Sequence, residues 1–217
     1  MEVLEVMEKV RVIPIAVVES PGEACVLADA MQEAGIPILE ITFRTSEAPE
    51  AIRHLRRSRP GMMVGAGTVL TPAQAEQALQ AGARFIVSPG FDEELAAWCR
   101  SAGILLIPGV ATPSEIMAAL RRGLHTLKFF PAEAIGGVNA LKALAPVFPH
   151  VRFIPTGGIH PGNLVDYLQL PNVIACGGTW LADRRLIREG RREDLTRLAR
   201  EARALAEQAK GSTASSS

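Results

Sequence analysis

Residues 36–66 read IPILEITFRTSEAPEAIRHLRRSRPGMMVGA. An apolar run, Ile36–Phe43, is followed by a helical pattern and then by a second apolar run, Met62–Ala66. A strand, a helix and a second strand in this order form the unit from which parallel sheets are built. The same alternation recurs along the whole chain, at a spacing of about 20 to 25 residues.

The alternation predicts eight strands. The eight apolar runs are Val12–Val18, Ile36–Phe43, Met62–Ala66, Phe85–Val87, Ile104–Ile107, Thr126–Phe129, Val151–Pro155 and Val173–Cys176. Several of the helices between them are predicted to begin where Ser or Thr precedes proline, because the hydroxyl caps free N–H groups and proline suits the first turn. These starts are Ser20-Pro21, Thr71-Pro72 and Thr112-Pro113. Glycine is predicted to end four helices, at Gly35, Gly82, Gly103 and Gly123.

The predicted fold is α/β, a single (β/α)8 TIM barrel with an extra N-terminal helix at Met1–Lys9. A closed barrel is favoured over an open doubly wound sheet because eight strands are counted and no glycine fingerprint follows the first strand. Asp183–Ala209 is predicted to form one or two charged helices that complete the outer ring. We expect residues 1–210 to form one domain and residues 211–217, which are small and polar, to form a disordered tail.

Composition narrows the function classes. The chain has 217 residues, is 48% hydrophobic and carries a formal net charge of zero, so neither a nucleic-acid partner nor a membrane surface is indicated. Its three cysteines are far apart and form no Cys-x-x-Cys or Cys/His cluster, which argues against disulfides and structural zinc. We expect no metal or cofactor, and a cytoplasmic location by default.

One lysine stands in unusual surroundings. The chain has four lysines, and Lys128 lies in GLHTLKFFPAEAIG, residues 123–136, between Leu127 and the aromatic pair Phe129 and Phe130. Apolar burial lowers the pKa of an ammonium group, and a neutral amine is what a Schiff-base nucleophile needs. The alternative is a lysine at a strand end that lays its stem on apolar surface and keeps its charge in water.

The second strand predicts charged side chains inside the barrel. Its alternation puts Leu39, Ile41 and Phe43 on one face and Glu40, Thr42 and Arg44 on the other. The apolar face must pack on helices, so the polar face points into the mouth, where charges are costly unless paired or functional. Direct pairing of Glu40 with Arg44 is disfavoured, since four residues of extended strand span about 13 Å.

The loops that end the other strands are rich in glycine. Gly65-Ala66-Gly67-Thr68 places small residues and one hydroxyl at the mouth, which is also what a tight turn needs. The seventh and eighth strands end in Thr156-Gly157-Gly158 and Gly177-Gly178-Thr179. Glycine lets a backbone approach a ligand closely, and loops after strands seven and eight are the usual phosphate site of this fold. Turns explain most single Gly-Gly pairs, but two pairs at these strands predict a phosphorylated substrate.

These groups together predict a carbon–carbon lyase. An amine that attacks a ketone forms an iminium, which accepts electrons during C–C cleavage, and a nearby carboxylate can carry the protons. Arginine suits a substrate carboxylate. The predicted partner is a small-molecule 2-oxo acid that carries a phosphate.

Two long stretches carry a family resemblance. GIPILEITFR (residues 35–44) and GLHTLKFFPAEAIG (residues 123–136) resemble the signatures of the 2-keto-3-deoxy-6-phosphogluconate (KDPG) and 4-hydroxy-2-oxoglutarate (KHG) aldolases. That family consists of class I Schiff-base lyases on a trimeric (β/α)8 barrel. The similarity continues through GAGTVL, SPGF, PGVATPSE, PTGGI and GGTWL, up to about Leu186.

The resemblance implies a role for each matching residue. Lys128 matches the Schiff-base lysine and Glu40 the general acid/base. Those matching the pyruvyl-binding residues are Arg44, Thr68, Pro89 and Phe130. Those matching the phosphate pocket are Thr156, Gly157, Gly158, Gly178 and Thr179. Thr179 departs from the serine found in many members; it keeps the hydroxyl but adds a methyl group, so the preferred 2-oxo acid stays open. A homotrimer is also implied.

Two other function classes stay open on the sequence. A phosphosugar isomerase or epimerase would share the phosphate site but would not require Lys128, so Lys128→Ala separates it from an aldolase. A catalytically silent barrel that serves as a binding module would need the amine, the carboxylate and the phosphate loops to be present by coincidence.

Overall fold

The computed structural model describes the backbone of residues 2–214 and the side chains of residues 2–210. Within that range the chain alternates strands with helices. The strands are β1 Val12–Ala16, β2 Ile38–Thr42, β3 Met63–Gly67, β4 Phe85–Val87, β5 Leu105–Ile107, β6 Gly109–Val110, β7 Thr126–Phe129, β8 Arg152–Pro155 and β9 Cys176–Gly178. The α-helices are α1 Val3–Val10, α2 Pro21–Glu33, α3 Ala48–Ser58, α4 Pro72–Ala81, α5 Glu93–Ser101, α6 Pro113–Arg121, α7 Gly137–Leu144, α8 Leu164–Leu168, α9 Arg184–Arg188 and α10 Arg192–Ala214. Short 3₁₀ turns lie at Glu133–Ile135 and Trp180–Ala182.

The strands pair in parallel and form a curled α/β sheet system. Six strands follow the order β5-β4-β3-β2-β1-β9, and three follow the order β6-β7-β8. A single residue, Pro108, separates β5 from β6, so the chain passes directly from one sheet into the other. Two isolated parallel bridges, Phe153 with Val173 and Thr156 with Gly177, link the β8 side to the β9 side.

Several strands differ from their predicted bounds by one or two residues at an end, and two differ in number or position. The predicted fifth strand ends at Ile107, but the chain pairs again at Gly109–Val110 after a break at Pro108. Proline has no N–H to donate to a ladder, which explains the break. The predicted eighth strand, Val173–Cys176, is wrong in position: the strand is Cys176–Gly178, because these residues pair with Val12–Pro14 of β1.

The predicted helix starts and ends are confirmed. The side chains of Ser20, Thr71 and Thr112 each accept a hydrogen bond from the backbone N–H three residues on. At Thr112 a capping box is complete, because Glu115 also reaches back to the cap. The four glycines predicted to end helices all have φ between +67° and +100°. Helices commonly end with one residue in this left-handed conformation, and glycine is favoured there because it has no Cβ atom.

The register of β2 against β3 creates space inside the sheet. Glu40 pairs with Gly65 and Thr42 with Gly67, so two glycines flank the two polar side chains on the same face. The ring of Phe85 occupies the space beside Gly65, where a Cβ atom would lie 2.2 Å from it. Leu39 and Ile41 alternate to the opposite face and are fully buried under helices.

The sequence predicted one or two charged helices in the C-terminal region, and the structure has two, α9 and α10. α10 packs against α2 and α8, and Arg192 and Arg200 each form an ion pair with Glu33 of α2, at 2.9 and 3.1 Å. The α10 backbone is helical to Ala214, which includes the first four residues of the segment predicted to be a disordered tail. Residues 215–217 of that segment lie outside the described residues. None of the helices in the described chain combines the length and apolar character of a membrane span.

The predicted N-terminal helix is confirmed as α1, and Met7 anchors it. Met7 is fully buried and, together with Ile13, Phe85 and Ile154, lines a narrow cavity inside the sheet. An amphipathic helix at this position buries its apolar side on the strands and leaves Lys9 exposed.

We expect Met7→Ala to lower the free energy of unfolding by about 2–5 kcal/mol, the usual effect of truncating a fully buried methionine. Lys9→Ala, an exposed position on the same helix, is the matched control and should change it by less than about 0.5 kcal/mol. Urea unfolding followed by circular dichroism measures both. A loss below about 1 kcal/mol for Met7→Ala would show that α1 is not part of the core.

Candidate active site

Lys128 lies in the middle of β7, between β6 and β8. It pairs with Gly109 on one side and Ile154 on the other, and only 7% of its surface is exposed. Its Nζ lies 5.1 Å from the ring centre of Phe130, within the range in which an ammonium is attracted to an aromatic face. The sequence prediction that Lys128 is buried among apolar groups is therefore confirmed.

Glu40 is the nearest acid to this amine. Its Oε1 atom lies 3.9 Å from Lys128 Nζ, and both side chains are almost completely buried. Oε1 accepts no hydrogen bond from any described residue. Burial raises the pKa of Glu40 above its usual value, although the charge of Lys128 acts in the opposite direction. A buried carboxyl with a raised pKa beside an amine is suited to accept and return protons.

Gly67 makes the position of Glu40 possible. A Cβ atom on Gly67 would lie 1.9 Å from Oε1 of Glu40 and 2.6 Å from its Cδ. The next residue, Thr68, has a φ of +56°, a left-handed backbone that is strained for a β-branched side chain. Such strain often marks functional sites, because the surrounding structure must hold it in place. Thr68 thus follows directly after β3, next in the chain to the glycine that contacts Glu40.

Arg44 lies two residues beyond the end of β2 and is exposed. Glu40 pairs with Lys128 rather than with Arg44. The guanidinium of Arg44 forms no ion pair with any described side chain. An unpaired arginine at the mouth can receive a carboxylate from a ligand in bidentate geometry.

Pro89 packs against the glycine that pairs with Lys128 in the sheet. The backbone of Pro89 packs on Gly109, where a Cβ atom would lie 2.0 Å from the Pro89 oxygen, and Gly109 is the strand partner of Lys128. Pro89 also lines a cavity at the mouth with Leu70 and Phe91. Pro89 is therefore linked to the amine through Gly109, and its place in a pyruvyl pocket stays a prediction.

In the loop after β8, hydrogen bonds to two successive carbonyl oxygens set the direction of the backbone N–H groups. Gly157 and Gly158 have φ of +99° and +80°. The Gly157 oxygen accepts a hydrogen bond from Glu133 N at 3.1 Å, and the Gly158 oxygen accepts one from Asn163 Nδ2 at 3.0 Å. In a planar trans peptide the following N–H points the opposite way. The N–H groups of Gly158 and Ile159 thus point away from these donors, and neither bonds to an acceptor in the described chain.

Thr156 connects this loop to the buried pair. Its side chain lines the interior cavity with Lys128 and Glu40, and a Cβ atom on Gly177 would lie 2.4 Å from its hydroxyl. The structure thus brings Lys128, Glu40 and Thr156 together.

Gly178 and Thr179 follow at the end of β9. Thr179 is exposed at the start of the 3₁₀ turn. Gly178 has a packing role that the sequence did not suggest, because a Cβ atom there would lie 1.6 Å from the ring of Trp180. In the described side chains, no group of three or more His, Cys, Asp or Glu could hold a metal ion.

Three residues near the site escaped the sequence analysis: Gly67, Glu133 and Tyr167. The sequence places Gly67 at the mouth and in a turn but does not predict its contact with Glu40, because that contact depends on the register of β2 and β3. Tyr167 is the only tyrosine of the chain and its hydroxyl donates a hydrogen bond to Glu133. A lone tyrosine is a weak signal, but it would have been the one available.

The raised pKa of Glu40 predicts how stability depends on pH. A carboxyl with a folded pKa above its usual value of 4.5 contributes stability at low pH, which is lost as the pH rises through the folded pKa. We therefore expect Glu40→Gln, which is neutral at every pH, to gain stability relative to the parent as the pH rises above about 4.5. Urea unfolding at a series of pH values from about 4 to about 8 measures this difference.

Glu115→Gln is a control of opposite sign. Partial burial acts to raise the pKa of Glu115, but hydrogen bonds from Ala111 N–H and from Thr112 lower it overall. Its contribution to stability is present above its usual pKa and is lost as the pH falls, so Glu115→Gln should differ from the parent at neutral pH and converge with it in acid. A Glu40→Gln curve parallel to that of the parent would contradict the raised pKa of Glu40.

Comparison with known proteins assigns most of the chain to one family. The family model described as KDPG and KHG aldolase matches residues 3–198. The KHG/KDPG aldolase of Escherichia coli K12 is 46% identical over 191 residues, which cover 88% of this chain and 90% of that protein.

Two solved structures are similar over nearly the full chain. One is the KDPG aldolase of Legionella pneumophila with pyruvate captured at low pH as a covalent carbinolamine intermediate; it is 42% identical, has a TM-score of 0.90, and the match covers 93% of this chain and 98% of that one. The other is the 2-keto-3-deoxy-6-phosphogluconate aldolase of Zymomonas mobilis ZM4 with 3-phosphoglycerate; it is 41% identical, has a TM-score of 0.86, and the match covers 93% and 94%. This chain belongs to the KDPG and KHG aldolase family.

Proposed function

We propose that this chain is a class I aldolase that cleaves 2-dehydro-3-deoxy-6-phosphogluconate to pyruvate and glyceraldehyde 3-phosphate. The observation that carries the proposal is the buried amine of Lys128, 3.9 Å from the carboxyl of Glu40. A lysine in this setting is a Schiff-base nucleophile with its proton carrier beside it. The carbinolamine that pyruvate forms in the Legionella relative is an intermediate of the same chemistry.

In the proposed reaction the Lys128 nitrogen attacks the C2 carbonyl of the substrate and forms a carbinolamine. Glu40 donates a proton to the departing hydroxyl, water leaves and an iminium remains. Glu40 then takes the proton of the C4 hydroxyl while the C3–C4 bond breaks. The electron pair of the C3–C4 bond moves toward the iminium nitrogen, which gives an enamine and the free aldehyde. Protonation at C3 and hydrolysis release pyruvate and the amine.

We assign the substrate contacts in two groups. The pyruvyl part lies against Arg44, Thr68, Pro89 and Phe130, with the guanidinium on the carboxylate. The phosphate lies against the loops after β8 and β9, where the N–H groups of Gly158 and Ile159 point away from the donors that hold the Gly157 and Gly158 oxygens. The residues assigned to this pocket are Thr156, Gly157, Gly158, Gly178 and Thr179. The structure of the Zymomonas relative with 3-phosphoglycerate supports a phosphorylated ligand for this family.

A second substrate is proposed for the same site. The Escherichia coli relative is named for both KHG and KDPG, and cleavage of 4-hydroxy-2-oxoglutarate to pyruvate and glyoxylate uses the same iminium. The bond that breaks is again C3–C4, so the roles of Lys128 and Glu40 are unchanged.

We further propose that residues 1–210 form one domain and that the two sheets close into an eight-stranded (β/α)8 barrel. The β5–β6 continuity and the bridges at Phe153 and Thr156 support closure. A homotrimer in the cytoplasm is proposed from the family resemblance. Exposed apolar side chains at Leu70, Met117 and Val147 are compatible with subunit contacts.

Borohydride reduction in the presence of pyruvate tests the proposed function. We expect one pyruvyl adduct, located at Lys128 by intact mass and peptide mapping, because this amine is buried beside the carboxyl of Glu40. Lys128→Ala should give no adduct and no cleavage, whereas the control Lys142→Ala, at an exposed position of α7, should behave as the parent does. An adduct spread over the other lysines, or KDPG cleavage that survives in Lys128→Ala, would contradict the proposed class I mechanism at Lys128 and favour an isomerase-type site.

Gly67→Ala tests the position of Glu40. The new methyl group cannot coexist with the carboxyl, so we expect kcat for KDPG cleavage to fall at least about a hundredfold, the usual contribution of a positioned acid/base. Gly22→Ala is the control: the nearest atom to its added Cβ is 3.7 Å away, and helix α2 should gain slightly in stability. Unchanged kcat in a folded Gly67→Ala protein would remove Glu40 from the mechanism.

A further inference from the structure

The loop at Thr156, Gly157 and Gly158 is here called the TGG loop. It accepts backbone hydrogen bonds from the segment that follows Lys128. Ala132 N donates to the Thr156 oxygen at 2.8 Å, and Glu133 N donates to the Gly157 oxygen at 3.1 Å. Two successive carbonyl groups of the loop thus bond to two successive amides of the β7–α7 connection. Planar peptides cannot turn individually, so these bonds also set where the intervening N–H groups point.

The side chain of Glu133 adds a second contact with the TGG loop. Its carboxylate accepts a hydrogen bond from the hydroxyl of Tyr167 on α8. A Cβ atom on Gly158 would lie 2.5 Å from Glu133 Cγ, and one on Gly137 would lie 2.9 Å from both Glu133 Oε1 and the Tyr167 hydroxyl. Glu133 therefore lies against Gly158, in space that only glycines at 137 and 158 leave open.

Tyr167 stabilises the position of the Glu133 side chain. Its side chain is fully buried, and a buried phenol needs a partner for its hydroxyl. Burial, and then the hydrogen bond to Glu133, raise the pKa of Tyr167 well above its usual value. The phenol thus keeps its proton and remains a donor throughout the working pH range.

We propose that Glu133 and Tyr167 are positioning residues that hold the TGG loop in the conformation that receives the phosphate of the substrate. This inference rests on the proposed function and adds two residues that touch neither the amine nor the reacting carbons. Loss of the Glu133–Tyr167 bond frees the Glu133 side chain that lies against Gly158 and loosens the Glu133 N–H that holds the Gly157 oxygen, so the N–H of Gly158 loses its fixed direction. Affinity for the phosphate end falls, while the chemistry at Lys128 is retained.

The test compares KDPG with the same 2-oxo acid lacking its phosphate. The ratio of the two kcat/KM values measures the contribution of the phosphate. We expect Tyr167→Phe and Glu133→Ala each to lower this ratio by about five- to tenfold, the size of effect that one lost hydrogen bond can have. The fall should come from a higher KM for KDPG, with kcat changed less than about twofold. Glu133→Gln retains an acceptor for Tyr167 and should restore most of the ratio.

A purely structural role for these residues would give a different result. Partial unfolding removes active enzyme for both substrates equally, so it leaves the ratio unchanged. Glu115→Ala is the matched control, because it removes a carboxylate that caps α6 and does not touch the TGG loop. It should lower the melting temperature and keep the parental ratio.

The outcomes separate this inference from the proposed function. If the parent protein shows no preference for the phosphorylated substrate, the assigned phosphate pocket fails. If the parent shows that preference and Tyr167→Phe and Glu133→Ala keep it, the positioning role is overturned. A loss of kcat with both substrates in Tyr167→Phe, at an unchanged ratio, also overturns it, because the residue would then act on the chemical step.

Discussion

The rest of the site depends on one incompletely paired acid inside the sheet. Glu40 and Lys128 are both buried, yet their closest atoms are 3.9 Å apart, and the Glu40 oxygen that faces the amine has no hydrogen bond from a described residue. Burying two charges has a large desolvation cost that a tight, fully bonded pair can offset. This pair is neither tight nor fully bonded. The arrangement leaves a raised pKa on Glu40 and a lysine nitrogen that no carboxylate holds in a short bond.

Glycine on neighbouring strands makes this arrangement possible. At four strand positions the space that a Cβ atom would fill is taken by a group from another strand or loop: the ring of Phe85, the carboxyl of Glu40, the backbone of Pro89 and the hydroxyl of Thr156. The glycines concerned are Gly65, Gly67, Gly109 and Gly177. Parallel strands fixed by their neighbours hold such groups more precisely than loops do. The missing side chains are therefore part of how the site is built.

These contacts explain what could and could not be predicted from the sequence. Burial of Lys128, the inward face of Glu40 and the helix caps follow from local pattern, because alternation and capping involve residues close in the chain. The pairing of Gly109–Val110 with β7 and the shift of the last strand to Cys176–Gly178 depend on which strand pairs with which, and register is set by tertiary packing. The contacts of Gly67 with Glu40 and of Glu133 with Tyr167 join distant segments, so no local pattern announces them.

The segment after β7 joins two tasks that the proposed function keeps separate. Lys128 lies in β7 itself, and five residues later, in the connection that follows, Glu133 holds the TGG loop. Because both lie on one short stretch of chain that begins in a buried strand, the distance between the amine and the phosphate pocket is fixed by the backbone. A substrate with its phosphate bound is then also placed with its ketone at the amine, so binding energy from the distal end orients the reacting carbon. A loop that could move independently of β7 would bind phosphate equally well but would not place the ketone.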